Sequence, residues 1–457
     1  DQTVPVITAS SSPAFNAYGW TNNTVTVHFA CSDALSGIKS CSPNAVFAGE
    51  GINISTTGTA VDYADNSAVS TISGIKIDKT VPISTAALSG VYQNGWYASA
   101  VTVTLASTDA LSGVALTEIS IDSSPFNAYA TPVNVSGEGN HIVSFKSTDR
   151  AGNIEPVKSI SFKIDTVVPG ISISQLPVPN ASGWNKTNVT VTFSGADAGS
   201  GMSQCIPPVE VSGEGQSQKI PGWCRDTAGN IAYATATLNI DKTNPGITFS
   251  RTQPNPAGWN NSDVTVSYQC SDALSGTASC PQNITFTQQG AGISTVAYAN
   301  DYAGNASFIT VSGINIDKTA PVSAAGLSGN MGLNDWYTAP VTVMLTASDA
   351  VSGLKTTLYR VDGSTIWVAG SGLEISGEGA HVVNFYSTDN ADNAETAKSI
   401  SFKIDRSSPV ASVQAVPAAN SYGWNRVPVT VNFTGTDNVS GIDACTPQKI
   451  IAANGSS

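Results

Sequence analysis

Positive charge is scarce in this chain. Its 457 residues hold 20 Lys and Arg against 33 Asp and Glu, for a formal net charge of −13. Sequence-independent nucleic-acid binding needs a basic patch. No basic run is present, so nucleic acid is set aside as a partner. Histidine is nearly missing, with only His28, His141 and His381, and a histidine-built zinc site is not expected. No stretch of 18 apolar residues occurs, so no membrane-spanning helix is expected in this stretch of chain. Segments of helical period and useful length are also missing. The Gly-x-Ser-x-Gly elbow, the phosphate-binding loop and the dinucleotide fingerprint are absent, and an enzyme is not expected. The chain opens at Asp1 with no Met or apolar leader, which reads as a mature or excised fragment.

What is present is repetition. An Asp-x-x-Ser-Gly turn or a close variant recurs at Asp33, Asp109, Asp197, Asp272, Asp349 and Asp437. Most copies add a second turn, at Asp62–Asn66, Asp149–Asn153, Asp226–Asn230, Asp301–Asn305 and Asp389–Asn393. Fixed-period self-similarity points to a string of small modules. Their boundaries fall at 1–80, 81–167, 168–243, 244–319, 320–406 and 407–457. Short acidic linkers ending in Pro mark them, such as Asp78-Lys79-Thr80-Val81-Pro82. A turn bearing Trp20, Trp96, Trp184, Trp259, Trp336 or Trp424 follows, then an alternating Val/Thr strand such as Val189–Phe193. Period two with β-branched enrichment is a half-buried antiparallel strand. The fold expected is all-β: tandem immunoglobulin-like β-sandwich modules in an extended array.

A second period is superimposed on the first. Asp33 to Asp272 spans 239 residues, and Asp109 to Asp349 spans 240. Two copies of a three-module unit follow, each with a longer middle module carrying Ser-Gly-Glu-Gly. Residues 407–457 supply only the first strands of a sixth module. Either the chain continues or another chain completes that sheet.

Seven cysteines are few for this length, yet they are regularly placed. Cys31 and Cys41 flank the first acidic turn, and Cys270 and Cys280 flank the fourth. Cys205 lacks a partner at the matching position, where Gly195 stands, and Cys224 is the replacement. Cys445 corresponds to Cys205 and is left over. No Cys-x-x-Cys occurs, so disulfides are expected over metal ligation. They point to an extracellular or cell-surface location.

In such a sandwich the incoming linker and both acidic turns lie at one end. Asp78 should approach Asp109, Asp149 and Asn153. Asp165 should approach Asp197, Asp226 and Asn230. Asp241 should approach Asp272, Asp301 and Asn305. Asp317 should approach Asp349, Asp389 and Asn393, and Asp405 should approach Asp437. Carboxylates, an Asn amide and backbone carbonyls supply the oxygen ligands that calcium takes. The competing reading is local: Asp, Asn and Gly are ordinary turn residues that bond their own backbone. The recurring Trp reads as a core plug or junction contact, with a sugar-stacking platform as the alternative. Trp367 falls in an insertion of the fifth module and is the candidate exposed contact. His141 and His381 read as strand-face residues. Asn-x-Ser/Thr sequons are numerous, Asn22 and Asn454 among them.

The motifs together resemble bacterial immunoglobulin-like repeats of large secreted and surface proteins. The middle modules look like the repeats of bacterial outer-membrane surface proteins. They carry Ser-Gly-Glu-Gly, a His-x-Val-x-Phe strand, Ser-Thr-Asp-x-Ala-Gly-Asn and Lys-Ser-x-x-Phe-x-Ile-Asp, at 136–165 and 376–405. Asp392 departs from the pattern where Gly152 stands in the other copy, and Asp65 does the same. The resemblance implies a non-catalytic extracellular array, the stalk of a surface adhesin or a polymeric appendage. Its partners would be further copies of itself, cell-surface or extracellular proteins, or glycans. The alternative is an accessory or carbohydrate-binding region of a secreted polysaccharide-acting enzyme.

Overall fold

Alternation of small apolar and hydroxyl side chains builds every module. In the strand Val25–Ser32, Val25 and Val27 are buried while His28 faces solvent. Val101 with Val103, Val189 with Val191, Val264 with Val266 and Val341 with Val343 repeat the inward pair. Each buried valine contributes roughly 1.5–3 kcal/mol by leaving water. The computed structural model describes residues 1–453; the Asn454 sequon lies outside them. Among the described residues the structure is all-β, without a helix.

The first module shows the plan. Its strands are β1 (Val6–Ser12), β2 (Val25–Ser32), β3 (Ile38–Cys41), β4 (Ala45–Phe47), β5 (Gly51–Asp62) and β6 (Ser67–Ile77). They form two three-stranded antiparallel sheets, ordered β1-β2-β4 and β3-β5-β6. The Asp33 turn carries the chain from one sheet to the other, and the Asp62–Asn66 turn closes the β5–β6 hairpin. Val25 and Val27 of one sheet pack on Ile75 and Ile77 of the other, with Phe29, Phe47 and Ile72 at the margin. This is a sandwich core. The Trp turn lies along the open edge of β6, where Thr21 bridges Ile77 in parallel.

Two compact units divide the chain: Asp1–Pro179 with Thr187–Ile240, and Asn180–Lys186 with Asp241–Ser457. In the first unit, the module after β6 is enlarged. Its second sheet has six strands, because Tyr92–Gln93, Trp96–Tyr97 and Asn127–Ala128 extend both edges. Tyr97, Leu105, Ile119, Phe145 and Phe162 enlarge the core to match. The following sandwich returns to paired three-stranded sheets, with Phe193, Leu238 and Ile240 buried. In the second unit the plan repeats. A three-plus-three sandwich is centred on Val264, Val266 and Ile316, and an enlarged one on Tyr337, Phe385 and Phe402. Strands Val410–Val416, Val429–Thr436 and Lys449–Ile451 then form a single sheet. Trp424 beside that sheet is 62% exposed, whereas Trp20 and Trp184 are buried.

Candidate functional site

The glycine of each Asp-x-x-Ser-Gly turn adopts positive φ, from +79° at Gly113 to +82° at Gly276. A Cβ would strain that geometry. The aspartate closes the turn by accepting the glycine N–H: Gly113 to Asp109 Oδ1 at 2.6 Å, Gly201 to Asp197 at 2.7 Å, Gly276 to Asp272 at 2.7 Å and Gly353 to Asp349 at 2.8 Å. The hairpin turn is built the same way. Asp149 Oδ1 accepts from the N–H groups of Gly152 and Asn153. Local turn chemistry is therefore present. It also aims these carboxylates at the end of the module where the linker enters.

The linker aspartate completes the cluster. Asp78 is fully buried; its Oδ1 accepts from Thr80 N–H and its Oδ2 from Ser112 N–H at 2.9 Å. Asp165 bonds Ser200, Asp241 bonds Ser275 and Asp317 bonds Ser352 in the same manner. Asp405 bonds Ser440 beside Asp437. The result is four predicted triads: Asp78–Asp109–Asp149, Asp165–Asp197–Asp226, Asp241–Asp272–Asp301 and Asp317–Asp349–Asp389. In each, one carboxylate oxygen per residue lies within 4.8 Å of the others.

A further cluster, Asp1–Asp33–Asp62, was not anticipated from sequence. Its signal was available, because Asp1-Gln2-Thr3-Val4-Pro5 repeats the linker Asp78-Lys79-Thr80-Val81-Pro82.

The asparagines require a correction. An oxygen ligand was expected from each, but the amide nitrogen faces the cluster. Asn153 Nδ2 donates to Asp149 Oδ2 at 2.7 Å and to the Asp78 carbonyl at 2.9 Å. Asn230, Asn305 and Asn393 do likewise toward Asp226, Asp301 and Asp389, and toward the linker carbonyls of Asp165, Asp241 and Asp317. A carboxylate can only accept here, so the amide turns its donor inward. The asparagine thus fastens the linker to the hairpin.

Hydrogen bonding favours the anionic form at two of these aspartates. At Asp317 burial pushes the carboxyl up, but hydrogen bonds from Ser352 and Thr319 outweigh it and hold the group below the ordinary aspartate value. At Asp62 burial is likewise outweighed by the Asn66 side chain and N–H. Lys39 and Lys355 pair with Asp65 and Asp392, outside the triads. Mutual repulsion of such carboxylates is relieved by a cation of oxygen preference.

Disulfides join Cys31 to Cys41, Cys205 to Cys224 and Cys270 to Cys280. Cys445 is free and exposed. Trp367 is half-buried: its ring meets Tyr386 edge-on at 4.7 Å, and the Arg360 guanidinium lies 4.7 Å from its centroid. Its neighbour Ile366, at 70% exposure, is the more open side chain of that insertion.

His141 and His381 are strand residues in phase with the buried Val143 and Val383. His141 is buried, with Nδ1 2.8 Å from Asp122 and Nε2 2.7 Å from the Gly137 carbonyl. His381 repeats this with Asp362 and Gly377. The ring nitrogens bond these partners rather than the nearby glutamates Glu138 and Glu378. Glu138 instead accepts from the Thr166 N–H in the next linker.

A scan of protein-family models found no match, and a search of curated proteins found none. Several solved structures are similar. Fibronectin(III)-like modules of Clostridium thermocellum CbhA align at 16% identity and a TM-score of 0.20, over 35% of this chain and 94% of theirs. A tetra-tandem repeat from the extending region of a large adhesion protein aligns at 14% identity and a TM-score of 0.20, over 88% of this chain and 100% of that one. The extracellular cadherin domains 1–5 of protocadherin gamma B2 align at 11% identity and a TM-score of 0.27, over 79% and 88%.

Proposed function

We propose that this chain is a non-catalytic array on the outside of a cell, forming the stalk of an adhesin or a polymeric appendage. Its work is spacing and the presentation of surfaces. Calcium at the linker ends of its modules fixes the angle between neighbours. The observation that carries this reading is the recurrence of one buried linker aspartate with two turn aspartates. Each such cluster draws on the end of one module and two turns of the next. A cation held there couples the modules through charge. The three disulfides support an oxidising location.

Calcium titration of the whole chain by calorimetry, with thermal unfolding before and after chelation, tests the proposal. Calcium is expected to bind and raise the unfolding temperature. At a concentration of 100 times Kd, a site present only in the folded state stabilises by about 2.7 kcal/mol. Asp149→Asn should remove one site from the stoichiometry. No heat and no shift in unfolding would overturn the calcium reading and leave the turns with a purely local role.

An accessory carbohydrate-binding role is the second reading. Tyr298 and Phe308 support it: they are paired across one hairpin with centroids 6.1 Å apart, and both are more than 60% exposed. Replacing both with Ala should abolish retention on the polysaccharide if this pair stacks on sugar.

A further inference from the structure

We infer that the asparagine opening four of the six Trp turns is a second fastening between successive modules, separate from the acidic cluster. In the short modules this residue begins Asn-x-x-Gly-Trp. Its amide oxygen holds its own turn: Asn16 Oδ1 accepts from the N–H groups of Tyr18 and Trp20, and Asn255 Oδ1 from those of Ala257 and Trp259. The nitrogen of the same amide reaches a later module. Asn16 Nδ2 donates to the Arg150 carbonyl at 2.8 Å, 134 residues away. Asn255 Nδ2 donates to the Asn390 carbonyl at 2.9 Å. Within the second unit, Asn180 Nδ2 donates to the Tyr302 carbonyl at 2.8 Å while its oxygen caps Ser182 and Trp184. The enlarged first-unit module has a shorter turn, yet Asn94 Nδ2 donates to the Thr227 carbonyl at 3.1 Å.

The acceptor is equivalent in these four turns, whereas Asn334 Nδ2, before Trp336, donates to the Asp443 carboxylate at 3.3 Å. Arg150, Thr227, Tyr302 and Asn390 each follow the hairpin aspartate of their module: Asp149, Asp226, Asp301 and Asp389. That hairpin is thus held at two points. Inside, Asn153 ties it to the linker carbonyl of Asp78; outside, Asn16 ties it to the Trp turn of the preceding module. One attachment leaves a hinge free to rotate about the linker. A second attachment away from that axis removes the rotation. The tip of the hairpin fits this contact. At Gly229 a Cβ would lie 2.4 Å from Gln93, beside Asn94. Where Asp392 replaces that glycine, its carboxylate accepts from Asn255 Nδ2 at 2.6 Å and adds to the fastening.

The amide's two roles are separable. Asn255→Asp and Asn16→Asp keep the oxygen that caps the Trp turn and lose the nitrogen that donates to the next module. The test places paired spin labels on adjacent modules of the full chain and measures the distance distribution with calcium chelated. Wild type should give a narrow distribution, and each Asp variant should lose it. Near-ultraviolet circular dichroism should stay unchanged, showing that the turns around Trp20 and Trp259 remain folded. Unchanged distributions in both variants would overturn the inference. If one variant disturbs its Trp turn, the other decides. Chelation removes any cation contribution, so failure of the calcium reading leaves this result standing.

Discussion

Asp405 shows how firmly a linker carboxylate is held. Hydrogen bonds from Ser407 and Ser440 lower it from the ordinary 3.8 to about 2, with burial opposing them. A depressed carboxylate stabilises the fold above its unfolded value and loses that contribution as pH falls through the folded value. Acid unfolding of the wild type should therefore steepen between pH 3.8 and about 2, and Asp405→Asn should flatten that interval. The histidines carry the opposite sign. Burial lowers His141, but the Gly137 carbonyl and Asp122 outweigh it and raise the imidazole above 6.5; His381 behaves alike. Both ring nitrogens face acceptors, a geometry that the imidazolium satisfies. Its stabilisation is present below pH 6.5 and is lost as pH rises through the folded value. His141→Gln should lower the unfolding temperature at pH 5.5 more than at pH 9, and equal effects would contradict the charged form. Gly113 makes a backbone test, because its φ is +79°. Gly113→Ala should cost roughly 1 kcal/mol or more in chemical denaturation. Asp65 and Asp392 occupy comparable left-handed geometry, with φ +66° and +70°. Aspartate tolerates that region, which explains why the hairpin turn survives without its glycine.

The long strands were legible because burial imposes a period of two on eight or more residues, as in Val101–Thr108 and Gly139–Asp149. Tyr92–Gln93 and Asn127–Ala128 were not, since two-residue edge strands carry no period. The acidic triads could be read from linker and turn spacing. The inward face of Asn153 could not, because both ends of an amide satisfy the same sequence pattern and only the facing group selects one. Disulfides belong to the short sandwiches, and the enlarged ones have broader cores. Replacing Cys31 and Cys41 with Ser should destabilise the first sandwich by roughly 2–3 kcal/mol. The transition of the sandwich containing Tyr97 and Phe162 should stay in place on reduction. A shift of that transition would mean that its core is insufficient by itself.

Duplication is visible at the scale of the chain. The 239–240-residue superperiod and the unit boundary at Ile240–Asp241 fall together. The contacts from Asn16 to Arg150 and from Asn255 to Asn390 were not legible, because a turn asparagine gives no sign of reaching 134 or 135 residues onward. The three crosslinks also set how much chain each module could release under tension. The Cys205–Cys224 bridge closes 19 residues, withholding about 65 Å of contour at roughly 3.4 Å per residue. The Cys31–Cys41 and Cys270–Cys280 bridges, each with a separation of 10, withhold about half as much. The enlarged modules have no crosslink and could pay out their whole length. A pulled oxidised chain would then lengthen in unequal steps, the longest coming from the modules with the largest cores, and reduction would bring the steps closer together.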